Sequence, residues 1–279
     1  MNIILLTAIF AALLALVLGI LLGIFRKVFH VETDVLVGLI RETLPGANCG
    51  ACGFPGCDGF ASAVAASEAA PDKCTVSDAE STKKRAALVG GSADTKAVIA
   101  VAACQGTSEF ALPKGVYTGL QTCRGAKISS GGTKLCAWGC MGFGDCVRAC
   151  KFDALSMGPN GIPVIDADKC KGCKVCVGEC PQGIIRVVDK GQTGAFAFCN
   201  NRNTIKPMVK KTCKTGCGKC TACVKKCPEQ AITLENGIPA IDYAKCNSCG
   251  TCVEICPQKV LRLLEDSGTA GSLADGKTA

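Results

Sequence analysis

Residues 237–263 read GIPAIDYAKCNSCGTCVEICPQKVLRL and residues 161–187 read GIPVIDADKCKGCKVCVGECPQGIIRV; at an offset of 76 residues, 14 of the 27 positions are identical. The chain therefore contains an internal duplication. Each copy carries Cys-x2-Cys-x2-Cys-x3-Cys-Pro, a spacing that gathers thiolates around an inorganic cluster and would be odd as a disulfide framework. The run Gly-Ile-Pro-x-Ile-Asp before the cysteines suits a strand, the cysteine loop leads into a short helix, and the aliphatic stretches 184–188 and 260–264 suit a second strand. Upstream, Cys136, Cys140, Cys146 and Cys150 fall 77 residues before Cys213, Cys217, Cys223 and Cys227. Each copy is expected to be a two-cluster module of roughly 55 residues.

Working outward, the 279 residues contain 24 Cys, a single His and only 5% aromatics, so apolar packing alone is unsuited to organise the interior. Such cysteine density means disulfides in an oxidising compartment or metal ligation in a reducing one, and the spacing favours the second. Structural zinc usually takes two separated cysteine pairs, unlike these close runs ending in Pro. With His30 alone, multi-His zinc or haem ligation and Ser-His-Asp chemistry lack material. His30 itself is read as an interfacial side chain without a role.

From Ile3 to Phe25 there are 23 residues without a charge. As a helix they would reach roughly 35 Å, enough to cross a bilayer core of about 30 Å. A cleaved signal fits less well, because no basic region precedes the run and no small-x-small site follows it closely. Arg26 and Lys27 follow directly, so the positive-inside rule puts the remainder on the cytoplasmic side of the cell (inner) membrane, as a single-pass protein. Past the anchor, Cys49, Cys52, Cys57 and Cys74 form a compact block. The polar stretch 75–96 reads as helix plus linker, and Val98 to Ala103 as a short strand. The expected division is an anchor at 1–27, a small cluster domain with linker at 31–97, a first module with leading segment at 98–190, a second module at 191–265 and a disordered tail at 266–279. The fold class is α+β.

Both copies resemble the bacterial two-cluster ferredoxins, in which the cysteine before Pro crosses to the other cluster. Carried over by residue, that resemblance implies Cys217, Cys220, Cys223 and Cys256 for one [4Fe–4S] cluster and Cys246, Cys249, Cys252 and Cys227 for another. In the first copy it implies Cys170, Cys173, Cys176 and Cys150, and then Cys136, Cys140, Cys146 and Cys180. This last quartet departs from the family pattern, since Phe143 stands where the other copy has Cys220 and Lys151 replaces the usual Pro. The block Asn48-Cys49-Gly-Ala-Cys52-Gly-Phe-Pro-Gly-Cys57, with Cys74, resembles the small [4Fe–4S] domain shared by Rnf B subunits and corrinoid iron–sulfur proteins. Five quartets leave Cys104, Cys123, Cys199 and Cys213. Four is the number a sixth cubane needs, but spare buried thiols account for them equally well, as does an exchange of Cys213 with Cys220. Cys123 and Cys199 stand at matching positions of the two copies by sequence offset.

Clusters without a nicotinamide or flavin motif describe a conductor of single electrons, with hydride chemistry in another chain. Segment 202–226 carries Arg202, Lys206, Lys210, Lys211, Lys214, Lys219, Lys225 and Lys226 and no acidic residue. It suits docking of an acidic soluble ferredoxin, or is simply a solvated basic face; nucleic acid is not expected beside such clusters and an anchor. In this order, anchor, cysteine block and tandem modules resemble the long, multi-cluster form of the B subunit of the Rnf complex. The resemblance implies an electron-transfer subunit of a membrane complex that passes electrons from reduced ferredoxin to NAD⁺ and translocates Na⁺ or H⁺, assembled with other membrane subunits and using soluble ferredoxin as donor. Neither ion transport nor hydride transfer is expected in this chain, whose single apolar helix lacks charged groups. Two rivals are a membrane-tethered polyferredoxin serving a different reductase and, from the Cys49 block alone, a corrinoid-dependent methyl-transfer component.

Overall fold

The computed structural model describes residues 3–28, 34–92, 97–203 and 205–264. His30 and the tail from 266 lie outside the described residues. The uncharged run forms helix α1 (Ile3–Val28), with Arg26 and Lys27 in its last turn. Its segment Leu5–Val28 is long and apolar enough to cross a membrane, and none of it is buried against the rest of the chain.

Three helices build the small domain. Helix α2 (Val35–Glu42) starts where Asp34 accepts the Leu36 amide, and α4 (Ala79–Leu88) where Asp78 accepts that of Ser81. Between them α3 (Cys57–Ala65) opens on a cluster cysteine. Their apolar faces bury Ile40, Phe60, Ala61 and Val64.

The two modules repeat one plan. In the first, β1 (Val98–Ala102) pairs antiparallel with β4 (Ile185–Asp189), while β2 (Leu155–Met157) and β3 (Pro163–Ile165) form a hairpin. In the second, β5 (Gly194–Ala197) pairs with β8 (Leu261–Leu264), and β6 (Ile232–Glu235) with β7 (Ile238–Ile241). The cysteine loops run into helices of four or five residues: α6 (Asp145–Arg148) and α7 (Val175–Glu179) in the first module, α9 (Ala222–Lys226) and α10 (Thr251–Glu254) in the second. Helix α5 (Cys123–Ser130) belongs to a longer connection in the first module, and α8 (Lys206–Thr212) to the shorter one in the second.

Strand register corrects one expectation. Ala102 faces Ile185 and Ala197 faces Leu261, and those partners are 76 residues apart in the repeat. The Ala103 amide then donates to Ile184 at 2.7 Å as that of Phe198 does to Val260 at 2.9 Å. Cys104, not Cys123, is thus the spatial counterpart of Cys199. Unequal connections after the leading strands hide this from a constant offset.

The modules share a core, with Ile99, Val101 and Val188 from one packing on Phe196, Phe198 and Leu264 from the other. Polar contacts across it are reciprocal. Gln105 donates to the carbonyls of Thr215 and Gln258 at 2.8 and 3.3 Å, and Asn200 donates to that of Gln182 at 2.8 Å. Arg262 donates to Gln105 at 3.1 Å and Arg186 to Asn200 at 3.3 Å. Gln182 and Gln258, like Arg186 and Arg262, are repeat equivalents, so the contact has the self-complementary character of a two-fold interface.

Gly172 supports this arrangement from below. It has φ +63°, and a Cβ there would sit 2.3 Å from the Val98 carbonyl oxygen. Gly172→Ala should displace β1 and lower the thermal midpoint of the cluster-loaded protein, with a cost of about 1–3 kcal/mol; an unchanged midpoint would contradict the packing of β1 on the cysteine loop.

Candidate metal centres

In the small domain Cys49, Cys52, Cys57 and Cys74 line one hollow of about 340 Å³. The loop closes because the Cys57 amide donates to Asn48 Oδ1 at 2.8 Å and Gly56, at φ +94°, lets the chain turn into α3. Thr75 Oγ1, on the hollow's wall, is buried and has no partner, so a hydroxyl proton is available to a sulfur placed there. Arg85 is wholly buried. Its guanidinium donates only to neutral oxygens, among them Pro71 O at 2.6 Å, Ser77 Oγ and Thr82 Oγ1 at 3.2 Å. Burial pushes Arg85 down, while the nearby Cys74, Asp78, Asp72 and Cys57 act to hold it charged. A buried cation with no ion-paired carboxylate among the described residues fits a site built for an anionic guest.

The second module has two such hollows. Cys217, Cys220, Cys223 and Cys256 line one, and Cys227, Cys246, Cys249 and Cys252 the other. In each, the cysteine before Pro comes from the opposite half of the repeat. Amides of Ala231 and Val260 donate to Cys227 Sγ and Cys256 Sγ at 3.4 and 3.3 Å, bonds of the kind that stabilise charge on ligating sulfur. Cys220 and Cys249 are exposed, so both sites reach the surface.

In the first module Cys150, Cys170 and Cys173 surround Cys176, whose thiol is pushed up to about 12, first by burial and then by these neighbours. Cys49 of the small domain lies close enough to Cys173 to act on it too. The other grouping differs from the expectation at one position, with Cys123 in place of Cys136. Cys123 heads α5, where burial pushes its thiol up while the backbone of Asp145 and Phe143 acts to lower it, and Cys180 acts on it as well. Cys146, raised to about 11 chiefly by burial, senses Cys180 and Cys123. Cys123 thereby stands at the corner that Phe143 leaves open, with Cys140, Cys146 and Cys180. Cys136, expected in that set, instead lines a hollow between the modules with Cys104, Cys199 and Cys213.

Lys219 is the other correction. Counted with a solvated basic face, it is in fact 6% exposed, and its ammonium donates to the carbonyls of Asn201 and Gly237, both at 2.9 Å. Arg85 and Lys219 carried no signal in the sequence beyond their charge, because their roles arise from burial.

The donor sets fit iron–sulfur clusters. All 24 cysteines are free thiols. Among the described residues no three His, Cys, Asp or Glu side chains converge on a single ion, so zinc of the kind weighed above finds no ready site; the thiols stand apart around hollows, as a multi-iron guest requires. Burial pushes the thiols of Cys104, Cys140, Cys176, Cys199 and Cys217 among others upward, so ligation at these positions would release protons.

Comparison with known proteins agrees. A family described as an Fe-S cluster domain matches residues 44–76, and families described as 4Fe-4S dicluster domains match 136–184 and 216–261. Over 222 residues the chain is 42% identical to the B subunit of the Na(+)-translocating ferredoxin:NAD(+) oxidoreductase complex of Acetobacterium woodii, a match spanning 78% of this chain and 66% of that protein. It is 36% identical over 220 residues to the B subunit of the ion-translocating oxidoreductase complex of Methanosarcina acetivorans, spanning 78% of this chain and 83% of the relative. The B subunit of the proton-translocating ferredoxin:NAD(+) oxidoreductase complex of Clostridium ljungdahlii is 36% identical over 218 residues, 77% of this chain and 76% of its own.

Arg85→Met keeps much of the side-chain volume and removes the cation. It should cost the small domain about 3 kcal/mol, since several buried oxygens lose their donor, and it should lower the midpoint potential of the centre bound there. Potentiometric titration of the reduced protein checks this; an unaltered potential would deny Arg85 its electrostatic part.

Proposed function

This chain belongs to the B-subunit family of ion-translocating oxidoreductase (Rnf) complexes, and from that premise we propose that it receives electrons from soluble reduced ferredoxin and relays them toward NAD⁺ reduction in partner subunits. It is a membrane-associated iron–sulfur electron-transfer subunit of a redox complex. Bound [4Fe–4S] clusters supply its one-electron chemistry. We assign five of them to the quartets Cys49, Cys52, Cys57, Cys74; Cys150, Cys170, Cys173, Cys176; Cys123, Cys140, Cys146, Cys180; Cys217, Cys220, Cys223, Cys256; and Cys227, Cys246, Cys249, Cys252. The single observation that carries this reading is that in the small domain and the second module thiols distant in sequence meet around separate hollows, each with backbone N–H donors or a buried cation beside it.

The cluster domains are assigned to the cytoplasmic face on the strength of Arg26 and Lys27 at the end of α1. Ion translocation is assigned to partner subunits: the relatives named above couple to Na⁺ in one case and protons in another, and the apolar stretch of α1 carries no ionisable group. Matches over more than three quarters of the chain, to subunits of such complexes, favour this over a tethered polyferredoxin serving another reductase.

The second module is the proposed docking surface for ferredoxin. Lys206, Lys210, Lys211 and Lys214 are exposed, and Lys210 borders the hollow where Cys220 reaches the surface. A soluble ferredoxin bearing acidic residues would be steered there, and its own cluster brought near Cys220. In the purified complex, the double variant Lys210→Glu/Lys214→Glu should slow oxidation of reduced ferredoxin about tenfold at low ionic strength, and the parent rate should fall as salt is added. Stopped-flow kinetics measures both, and a rate indifferent to salt and to charge reversal would remove the docking surface.

A further inference from the structure

The matched dicluster families end at 184 and resume at 216, leaving Cys104, Cys199 and Cys213 outside them. These three and Cys136 line the hollow at the centre of the module interface. Like the hollow in the small domain, it is lined by four thiols. Each module contributes two thiols, and the contributions are equivalent. Cys104 and Cys199 follow the leading strands at matching register, and Cys136 and Cys213 each lie four residues before the first cysteine of a cluster loop.

The surroundings repeat the symmetry. Cys199 Sγ accepts the amide of Cys217 at 3.4 Å, and backbone amides of Cys140 and Gly106 act on Cys104 as those of Cys217 and Asn201 act on Cys199. Gly106 opens onto the space: a Cβ there would stand 3.4 Å from Cys213 Sγ and 3.7 Å from Cys104 Sγ. Two lysines bracket it. Lys134 donates to the Gly106 carbonyl at 2.6 Å and Lys219 to that of Asn201 at 2.9 Å, the same place in each module, although the lysines come from non-equivalent positions in the chain. Neither has an ion-paired carboxylate among the described residues. Four buried thiols with a half-buried and a buried ammonium group nearby, neither paired with an acid among the described residues, describe a site whose missing charge is negative and whose missing atoms bind sulfur.

We propose that Cys104, Cys136, Cys199 and Cys213 hold a sixth [4Fe–4S] cluster joining the two modules, with Lys134 and Lys219 balancing its charge. This rests on the cluster-bearing reading above and deepens it. The site lies between Cys140 of the first module and Cys217 of the second, each assigned above to a flanking cluster, and the Cys217 amide donates to the central Cys199 Sγ at 3.4 Å. Cys49 of the small domain acts electrostatically on Cys173 and Cys146 on Cys176, and the central quartet stands between the two modules, so a sixth cluster there would bridge the sites of one module and those of the other.

The test counts iron and acid-labile sulfide in anaerobically purified full-length protein, alongside EPR of the reduced state. The parent chain should carry about 24 iron, and Cys104→Ala/Cys199→Ala about four iron and four sulfide fewer with its far-UV circular dichroism retained. Adding Cys123→Ala should remove about four more, because Cys123 belongs to a different quartet. About 20 iron in the parent, or an unchanged content in the double variant, overturns the sixth site and leaves five clusters standing. No further loss on adding Cys123→Ala overturns the assignment of Cys136 over Cys123. A parent chain without iron overturns the cluster reading itself. The parent count decides even where a variant fails to fold.

Discussion

Sulfur–iron ligation requires four thiols, drawn from separated parts of the chain, to stand around one small volume, and most of this fold serves that requirement. The strands are two-stranded pieces of three to five residues, and in the modules the helices beside the cysteine loops are a turn or so long. Elements that short do not hold themselves together. What links them are cysteines that cross between halves, as Cys256 and Cys227 do in the second module and Cys180 and Cys150 in the first. Apolar burial supplies the remainder, in one cluster for the small domain, one for each module and one shared at their interface.

A second constraint follows from the first. Clusters held by four thiolates are anionic, and anions in a low-dielectric interior need compensation. This chain supplies it without acid–base ion pairs: Arg85 under the small domain and Lys134 and Lys219 at the module interface bond to neutral oxygens and face sulfur. Cations so placed would favour the reduced, more negative state of a cluster beside them. Surface pairs such as Lys84 with Glu80 play no such part, being exposed on both sides.

Much of this was legible in the sequence. The duplication predicted the strand, cysteine loop, helix and strand of each module, and the thiols of three quartets implied by the family resemblances line common hollows. Legibility failed where a constant offset ceased to describe the chain. Between Cys104 and Cys136 the first module inserts α5, whereas the second passes from Cys199 to Cys213 through α8, so arithmetic paired Cys123 with Cys199 and missed Cys104. The surviving signal was weak, an apolar run ending in Cys-Gln at 104 and in Cys-Asn at 199. Phe143 in place of a cysteine announced a vacant corner but not what filled it. Lys219 reads as one more charge in a basic stretch, and only its burial separates it from Lys210 and Lys214.

The central claim is that these thiols bind inorganic iron and sulfide in place of pairing with one another. Native mass spectrometry of the intact protein, prepared without oxygen, tests it most directly. The account predicts a mass above that of the polypeptide by whole numbers of Fe4S4 units, with thiol protons lost in proportion. A mass at or just below that of the bare chain, as disulfides would give, or one raised only by zinc, would contradict it.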